Sequence, residues 1–235
     1  MSGETTISVN FGRPMPLFPL DGLVLMPHGV FPLHIFEPRY RQMVTDALDG
    51  AGQIAMAMFD GEQWTHEYHG RPAVRPIVCV GQIIQHMKLP DGRYAIVLQG
   101  LCRARIVEEM PSDEEILYRR AMLEPVDLGD ADEDALEPFR QRVVEAIEHD
   151  KLKDLRGSQG LLEHLKNPTI PTSALMEVLG FTFLSDNELR YRLLACENAL
   201  ERARLVSGEL MGLQQLLRRA APQRSTDAPK GCCWN

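Results

Sequence analysis

Residues 76–107, PIVCVGQIIQHMKLPDGRYAIVLQGLCRARIV, decide the fold class because they carry the pattern of one long β-hairpin. Two apolar runs flank Pro90-Asp91-Gly92, where Pro fixes φ, Asp accepts local hydrogen bonds and Gly tolerates a positive φ. Gly81 and Gly100 interrupt the runs, which is typical of a bulge or a sharp bend in a small closed barrel. The stretch predicts paired strands at 76–87 and 93–107.

The second strand of this hairpin alternates with a period of two from Leu101 onward, which sends successive side chains to opposite faces of a sheet. The predicted inward set is Cys102, Ala104 and Ile106, and the predicted outward set is Leu101, Arg103 and Arg105. Such an arginine pair is typical of a solvated face that pairs with carboxylates, here from the acidic segment 108–150. The alternative is a phosphate-binding pair.

The chain before the hairpin carries shorter β signals. Apolar runs at 15–20 and 23–26 are broken by prolines and by a turn at 21–22, which favours short strands at a sheet edge. A strand at 53–59 has apolar residues on both faces, so it is either buried on both sides or presents an apolar face outward.

One helix is predicted in this first half, over Glu37 to Leu48, with Pro38 in the first turn. The polar residues 60–75 form the longest predicted loop, and a further strand is predicted at 116–126. The hydrophobic period then changes from two to about 3.6 residues, so the second half is predicted to be helical, with the border between Val126 and Ala135.

Helix starts are predicted at Asp130 with Glu133 and at Ser185 with Glu188, because both pairs have the spacing of N-terminal capping residues. The last helix is predicted as one continuous element over 186–220. Its apolar positions follow gaps of three and four: 189, 193, 196, 200, 203, 206, 210, 213 and 217. The polar tail from Pro222 is predicted to be disordered.

Composition places the chain among soluble globular proteins. The 235 residues are 44% hydrophobic and 25% charged, and no apolar run reaches the length of roughly 18 residues that a membrane helix needs. The five cysteines form no CxxC pair, which favours a reduced, cytoplasmic protein. The net charge of −8, concentrated in 108–150, disfavours nucleic-acid binding.

Three short patterns could carry chemistry, and each has a plainer interpretation. His66-Glu67-Tyr68-His69 with Glu62 offers metal ligands but lacks a defined tetrahedral set, so a solvated loop is favoured. Ser158 near Lys153 and Lys166 suggests a serine-lysine pair, without an oxyanion hole to support it. Cys232 lies where a prenylation site would, but Trp234 and Asn235 do not fit the motif. We predict no catalytic residue, no metal ion and no cofactor.

An apolar group around the 53–59 strand is the candidate binding site. Exposed methionines suit partners of varied sequence because their side chains are flexible and polarizable. Ordinary core packing is the alternative interpretation of the same residues. The group consists of Phe36, Met56, Met58, Phe59 and Trp64.

Six short segments keep a distinctive order and spacing: PLFPL at 16–20, LMP at 25–27, PLHIFEPRY at 32–40, VG at 80–81, LPDGR at 89–93 and GLCRARI at 100–106. In this order they resemble the Lon protease N-terminal domain, also called the Lon substrate-binding domain. The resemblance is strong over about 15–125 and weaker to about 218. It implies an α+β fold, with an N-terminal PUA-like small β-barrel followed by a C-terminal helical bundle.

The predicted domain organisation follows from this resemblance and from the change of period. We expect a barrel subdomain, a helical bundle subdomain with a long final helix, and two flanking segments. Their bounds are 1–14 for the N-terminal extension, 15–126 for the barrel, 127–220 for the bundle and 221–235 for the disordered tail.

The resemblance implies a non-catalytic polypeptide-binding module that binds unfolded or degron-bearing protein segments in a groove between barrel and bundle. Full-length Lon proteases continue into ATPase and serine-lysine protease modules. A Walker A loop needs Gly-Lys, and none of the five lysines here follows a glycine, so we interpret the chain as a stand-alone member that is not an enzyme.

Two alternatives stay open at this stage. The chain could be a component of an ATP-dependent protease system, peptidase-like by family and acting with a separate ATPase. It could also be an RNA-binding PUA-like domain, which the net charge disfavours. The partners we expect are unfolded or partly unfolded polypeptides and a separate protease or ATPase, with no nucleic acid and no membrane.

Overall fold

The computed structural model describes most of the chain, in seven ranges: 7–61, 64–67, 70–112, 114–127, 129, 131–149 and 158–220. Its strands are β1 (Met15–Leu20), β2 (Val30–Ile35), β3 (Gln53–Met58), β4 (Ile77–Lys88), β5 (Tyr94–Glu109) and β6 (Arg119–Pro125). Its helices are α1 (Pro38–Leu48), α2 (Trp64–Glu67), α3 (Glu133–His149), α4 (Ser158–Lys166), α5 (Thr172–Phe183), α6 (Asn187–Ala195) and α7 (Ala199–Ala220). Among the described residues, no helix combines the length and apolarity needed to cross a membrane.

Several sequence predictions fall outside the described ranges. They concern the predicted tail with Cys232, Lys153 of the serine-lysine pair, and the metal-ligand candidates Glu62 and His69. Within the described residues, no group of three or more His, Cys, Asp or Glu side chains could hold a metal ion.

Two compact units divide the chain. The sheet unit comprises Met1–Ala131 and Glu177–Ala199, and the helical unit comprises Asp132–Met176 and Leu200–Asn235. The predicted change from strands to helices falls between the end of β6 at Pro125 and the start of α3 at Glu133. Residues 177–199 are mostly helical but belong to the same compact unit as the strands, which a single border between strands and helices does not predict.

The strands pair in the order β2-β5-β4-β3-β1-β6, and β5 also pairs with β6. The hydrogen-bonded pairings therefore close on themselves through five strands, from β5 through β4, β3, β1 and β6 back to β5. β1 and β3 are parallel, and the other pairs are antiparallel. Within the described residues β2 pairs only with β5, so it is the edge strand, which suits Pro32. The predicted edge position of the strand at 15–20 is wrong, because as β1 it pairs with both β3 and β6.

The predicted hairpin is confirmed. β4 and β5 pair from Ile77 opposite Arg105 to Lys88 opposite Tyr94, with register shifts beside Gly81 and after Ile83. Gly92 in the turn has φ +80°, which explains the glycine there. A side chain at Gly100 would overlap the carbonyl oxygen of Met26, so this glycine permits a close backbone approach.

One face of the closed pairings forms a core of mostly small side chains. Cys102 and Ile106 pack against this cluster and Ala104 lies within it, which confirms the predicted inward set of β5. The buried members come from all five strands: Met15, Leu17, Ala55, Ala57, Val78, Val80, Ala104, Ala121 and Leu123.

The other face of β3 is buried as well. Met56 and Ile54 are at most 3% exposed, and α1 is placed against β1 and β3 with the rings of Phe18 and Tyr40 4.5 Å apart. Of the two alternatives for this strand, burial on both sides is therefore correct.

Two local predictions need correction. Residues 23–26 are not a strand, although Val24, Leu25 and Met26 are buried, because an irregular segment delivers them to the core. The predicted loop 60–75 contains the short helix α2 and a bridge between Phe59 and Val74.

Arg103 is buried, contrary to its predicted place on a solvated face. Its guanidinium donates to the Glu177 carboxylate at 2.7 Å and to the backbone carbonyls of Leu193 and Leu194 at 3.4 and 2.9 Å. Asp127 lies 3.8 Å away. Charge-assisted hydrogen bonds to these acceptors compensate the guanidinium for the water that it loses. Arg103 is therefore committed to the protein interior and is not half of a phosphate-binding pair.

Arg105 behaves as the sequence predicted. It is 42% exposed and pairs with Glu197 at 2.7 Å and with Glu124 at 3.4 Å. Glu124 belongs to the acidic segment that was predicted to supply partners. Exposed ion pairs of this kind contribute little to stability.

The predicted continuous last helix is wrong, because the structure breaks it into α6 and α7. Cys196 has extended backbone angles, φ −80° and ψ 113°. The final carbonyls of α6 lack partners within the helix, and Arg103 takes those of Leu193 and Leu194. The guanidinium of Arg103, from β5, thus donates to the last carbonyls of α6. The apolar pattern alone would instead predict that the helix continues.

One capping residue also differs from the prediction. Asp186, rather than Ser185, accepts the N–H of Leu189 at 2.7 Å at the start of α6. At the start of α3, Asp132 accepts the N–H of Ala135 at 3.1 Å, and the predicted capping residue Asp130 lies outside the described residues. Each capping aspartate immediately precedes the first residue of its helix, and its carboxylate accepts the backbone N–H three residues later.

Replacing Arg103 with Met should lower the free energy of unfolding by about 3–5 kcal/mol, because the buried carboxylate of Glu177 then loses the guanidinium beside it. Replacing Arg105 with Met, two residues along the same strand, should cost less than about 1 kcal/mol because its ion pairs are exposed. Urea unfolding followed by circular dichroism measures both values. Equal losses would contradict the structural role of Arg103.

Candidate functional site

An exposed apolar face lies at the end of the sheet unit where β2, β5 and β4 run side by side. We call it the open sheet face. Two rows of opposed residues cross it: Pro32, Val97 and Gln85 in one row, and His34, Ala95 and Met87 in the next. Val30 lies on the same face of β2, because residues two apart on a strand share a face. A groove of about 460 Å³ runs over the two rows.

The side chains of the alternate residues on these strands point to the opposite face of the sheet, where they are buried. Ile35, Ile96 and Leu98 are at most 2% exposed, whereas Val30 is 46% and Met87 58% exposed. The apolar side chains on the open sheet face are therefore presented by a packed scaffold. Loops and faces held by a rigid scaffold are where proteins commonly bind partners.

β4 contains a bulge next to the open sheet face. The register between β4 and β5 shifts between Ile83 and Gln85, and the extra residue, Ile84, is 42% exposed. Bulges bend a strand and redirect its side chains. Ile84 is thus a second exposed apolar residue on β4, besides Met87.

The groove has little charge. Its nine described lining residues include no Asp, Glu, Lys or Arg: they are Pro32, Leu33, His34, Gln85, His86, Met87, Ala95, Ile96 and Val97. A ligand charged along its length would lose water without gaining an ionic partner there. The groove therefore suits apolar or uncharged polar groups.

The residues predicted from the sequence lie in different surroundings. Met56 and Phe59 are 3% and 4% exposed, and Phe59 stacks on Trp64 with ring centroids 5.2 Å apart and planes 6° from parallel. Met58 and Trp64 are half-buried. Phe36 is 61% exposed and directly follows β2. The structure thus brings Phe59 and Trp64 together in a partly buried stack, while Phe36 lies at the surface.

The open sheet face was not predicted from the sequence, although the sequence contains a signal for it. Residues 94–98 alternate, but both alternate sets are largely apolar: Tyr94, Ile96 and Leu98 in one, Ala95 and Val97 in the other. An apolar residue at every position is typical of a strand covered on both sides. Only the tertiary structure shows that nothing among the described residues pairs with the outer edge of β2.

Among the groups of the sheet unit with shifted pKa values are one thiol and one phenol that could be considered as nucleophiles, Cys79 and Tyr118. Burial raises the pKa of the Cys79 thiol, so it stays protonated at neutral pH. Burial, with a hydrogen bond to Asp46, raises the pKa of Tyr118 to about 12. Neither group has the lowered pKa that an activated nucleophile needs.

Replacing Phe59 with Ala should cost about 3–5 kcal/mol of stability, because it leaves a cavity in the core and removes the stacking partner of Trp64. Replacing Phe36 with Ala is the matched control and should change stability by less than about 0.5 kcal/mol, since that ring is exposed. Thermal and urea unfolding measure the pair. A large loss at Phe36, or none at Phe59, would contradict their assigned positions.

A comparison with family models matches residues 14–211 to the substrate-binding domain of ATP-dependent protease La (LON). Among similar curated proteins, the Lon protease of Desulfatibacillum aliphaticivorans is 29% identical over 61% of this chain and 17% of its own length. The Lon protease of Escherichia coli K12 is 30% identical over 52% of this chain and 15% of its own length. The chain thus spans about one sixth of the proteases it matches.

Solved structures agree on the fold. The N-terminal domain of a Mycobacterium avium complex Lon protease superposes with a TM-score of 0.64, at 16% identity, over 85% of this chain and 98% of that domain. A Lon N-terminal domain protein from Xanthomonas campestris gives a TM-score of 0.58, at 18% identity, over 88% of this chain and 98% of that one. Because the family model covers most of the sequence and the fold agrees, the chain belongs to the Lon substrate-binding domain family.

Proposed function

We propose that the chain is a non-catalytic polypeptide-binding module that captures unfolded or degron-bearing segments of other proteins, here called clients. The observation that carries the proposal is the open sheet face, an exposed apolar surface on a packed scaffold whose described groove lining contains no Asp, Glu, Lys or Arg. Membership of the Lon substrate-binding domain family supports the same ligand class.

Binding at this face would be driven by burial of apolar client side chains against Val30, Val97 and Met87. Each Å² of apolar surface removed from water contributes about 25 cal/mol. Met87 is unbranched and flexible, so it can pack against side chains of different shapes. Ordering a flexible client opposes binding, so individual contacts are expected to be weak and tolerant of sequence.

Phe36 extends this surface in our proposal. It follows directly after β2, and its ring is exposed where a client leaving the open sheet face could contact it. Met58 and Trp64 are half-buried and would offer a smaller contact, supported from the core by Met56 and Phe59. These roles in binding remain predictions.

We also propose that the closed pairing of β5, β4, β3, β1 and β6 is a small barrel of PUA-like type. The supporting observations are the return of the pairing to β5 and the core of small side chains that all five strands contribute. In this arrangement β2 stands outside the closed strands and carries part of the open sheet face.

A second candidate function is that of a component of an ATP-dependent protease system, acting with a separate ATPase. The observation that favours it is that the similar curated proteins are Lon proteases. On this proposal the chain alone should hydrolyse neither ATP nor casein. Activity that survives repurification would contradict the non-catalytic proposal.

Replacing Met87 with Asp should weaken binding of an unfolded client about tenfold, because a carboxylate on the open sheet face must be desolvated without a partner. Val107→Asp is the matched control: Val107, on β5, is exposed to a similar extent, at 61%, but lies outside the groove. Fluorescence anisotropy with labelled β-casein measures affinity, and thermal unfolding confirms that both variants fold.

The control variant should bind within twofold of the unmodified chain. Equal weakening by both substitutions would indicate a general charge effect. Unchanged binding by Met87→Asp would remove the open sheet face as the client site.

A further inference from the structure

In β2, residues whose backbone groups bond to β5 alternate with residues whose backbone groups point away from it, and the observed hydrogen bonds show which are which. The N–H of Gly100 donates to the carbonyl of Gly29 at 2.8 Å. This pair continues the β2–β5 register, in which Val30 lies opposite Gln99. In an antiparallel ladder hydrogen-bonded pairs alternate with non-hydrogen-bonded ones, so the residues of β2 that bond to β5 are Phe31, Leu33 and Ile35.

The intervening residues, Val30, Pro32 and His34, therefore turn their backbone groups away from β5. The described residues contain no strand that pairs with this outer edge. Pro32 fits this phase, because its missing N–H then removes no bond from the β2–β5 ladder. Prolines at such positions also limit uncontrolled edge-to-edge association.

The same three residues carry the β2 side chains of the open sheet face. Val30 is 46% exposed, and Pro32 and His34 are exposed as well. A strand added at the outer edge would lie about 4.8 Å from β2. Each client residue opposite Val30, Pro32 or His34 would place its side chain on the open sheet face and its backbone N–H toward β2.

We propose that an extended, uncharged client segment binds by adding an antiparallel strand to the outer edge of β2, with alternate side chains on the open sheet face. This inference rests on the proposed function and specifies its mode. Val30 and His34 can each exchange two backbone hydrogen bonds with the client, whereas Pro32 can only accept one. The absence of Asp, Glu, Lys and Arg from the described lining of the groove selects an uncharged segment.

Peptides methylated on backbone nitrogen test this mode directly. The parent is a nine-residue peptide with Val or Leu at odd positions and Thr or Gln at even positions. Strand addition aims the N–H groups of the apolar positions at β2, so methylation of those nitrogens should weaken binding more than tenfold. Methylation of the polar positions is the matched control and should leave affinity within twofold. Fluorescence anisotropy with the full chain measures all three peptides.

Two outcomes would overturn strand addition. If both methylated peptides bind like the parent, the client is held by side chains alone. If both are weakened equally, methylation acts on the peptide's own conformation.

Substitution of Pro32 provides a second test from the protein side. Pro32→Val keeps an apolar side chain and adds an outward N–H donor, so the parent peptide should bind roughly two- to tenfold more tightly. Unchanged or weaker binding by a folded Pro32→Val chain would contradict the proposal. The methylated peptides, which use the unmodified chain, decide the question if this variant aggregates through its less protected edge.

These experiments separate failure of the mode from failure of the function. If the parent peptide binds, Met87→Asp weakens it and methylation has no selective effect, polypeptide binding stands and strand addition fails. If neither the parent peptide nor β-casein binds, the proposed function itself fails. The unmodified chain could also sediment as a dimer that the peptide dissociates. That result would show that a second copy of the chain occupies the edge of β2 and would contradict the proposal of a client there.

Discussion

The buried guanidinium of Arg103 is the interaction on which the sheet unit depends. Removing a cation from water costs several kcal/mol, so its position is stable only because a carboxylate at 2.7 Å and two helix carbonyls receive its hydrogens. The same contacts join β5 to α5 through Glu177 and end α6 at Ala195. One side chain thus connects a strand to two helices and determines where the chain leaves the second of them.

Arginine side chains also donate to backbone carbonyls at the ends of other helices. Within the sheet unit, Arg190 donates to the carbonyls of Phe181 and Leu184 at the end of α5. Within the helical unit, the buried Arg140 donates to the carbonyl of Leu165 in α4 and to those of two residues that follow the helix. The last carbonyls of a helix have no partner within it, and arginine presents several donors in a fixed fork. These arginines therefore supply donors to carbonyls at the ends of α4, α5 and α6.

The open sheet face follows from a different constraint. Among the described residues β2 pairs only with β5, so no described strand covers its outer backbone edge, and the side chains of Val30, Pro32 and His34 are exposed. Natural proteins usually protect such an edge, and here Pro32 is the protection. Apolar surface and unpaired backbone at one place suit a partner that is itself extended and unfolded. The fold thus places an exposed apolar surface beside an unpaired strand edge, within the part of the chain that the structure describes.

Local patterns determined a large part of this structure. The β4–β5 hairpin with its turn at Gly92, the bounds of β1 and the inward alternation of Cys102, Ala104 and Ile106 depend on turn chemistry and on a period of two, which short segments carry by themselves. The family, too, could be identified from short ordered segments. Only the tertiary structure decided that Arg103 is buried, that the last helix breaks at 196–198, and that Met87 rather than Met56 meets solvent. Arg103 and Glu177 are 74 positions apart, and a strand that is apolar on both faces does not reveal which face another element will cover.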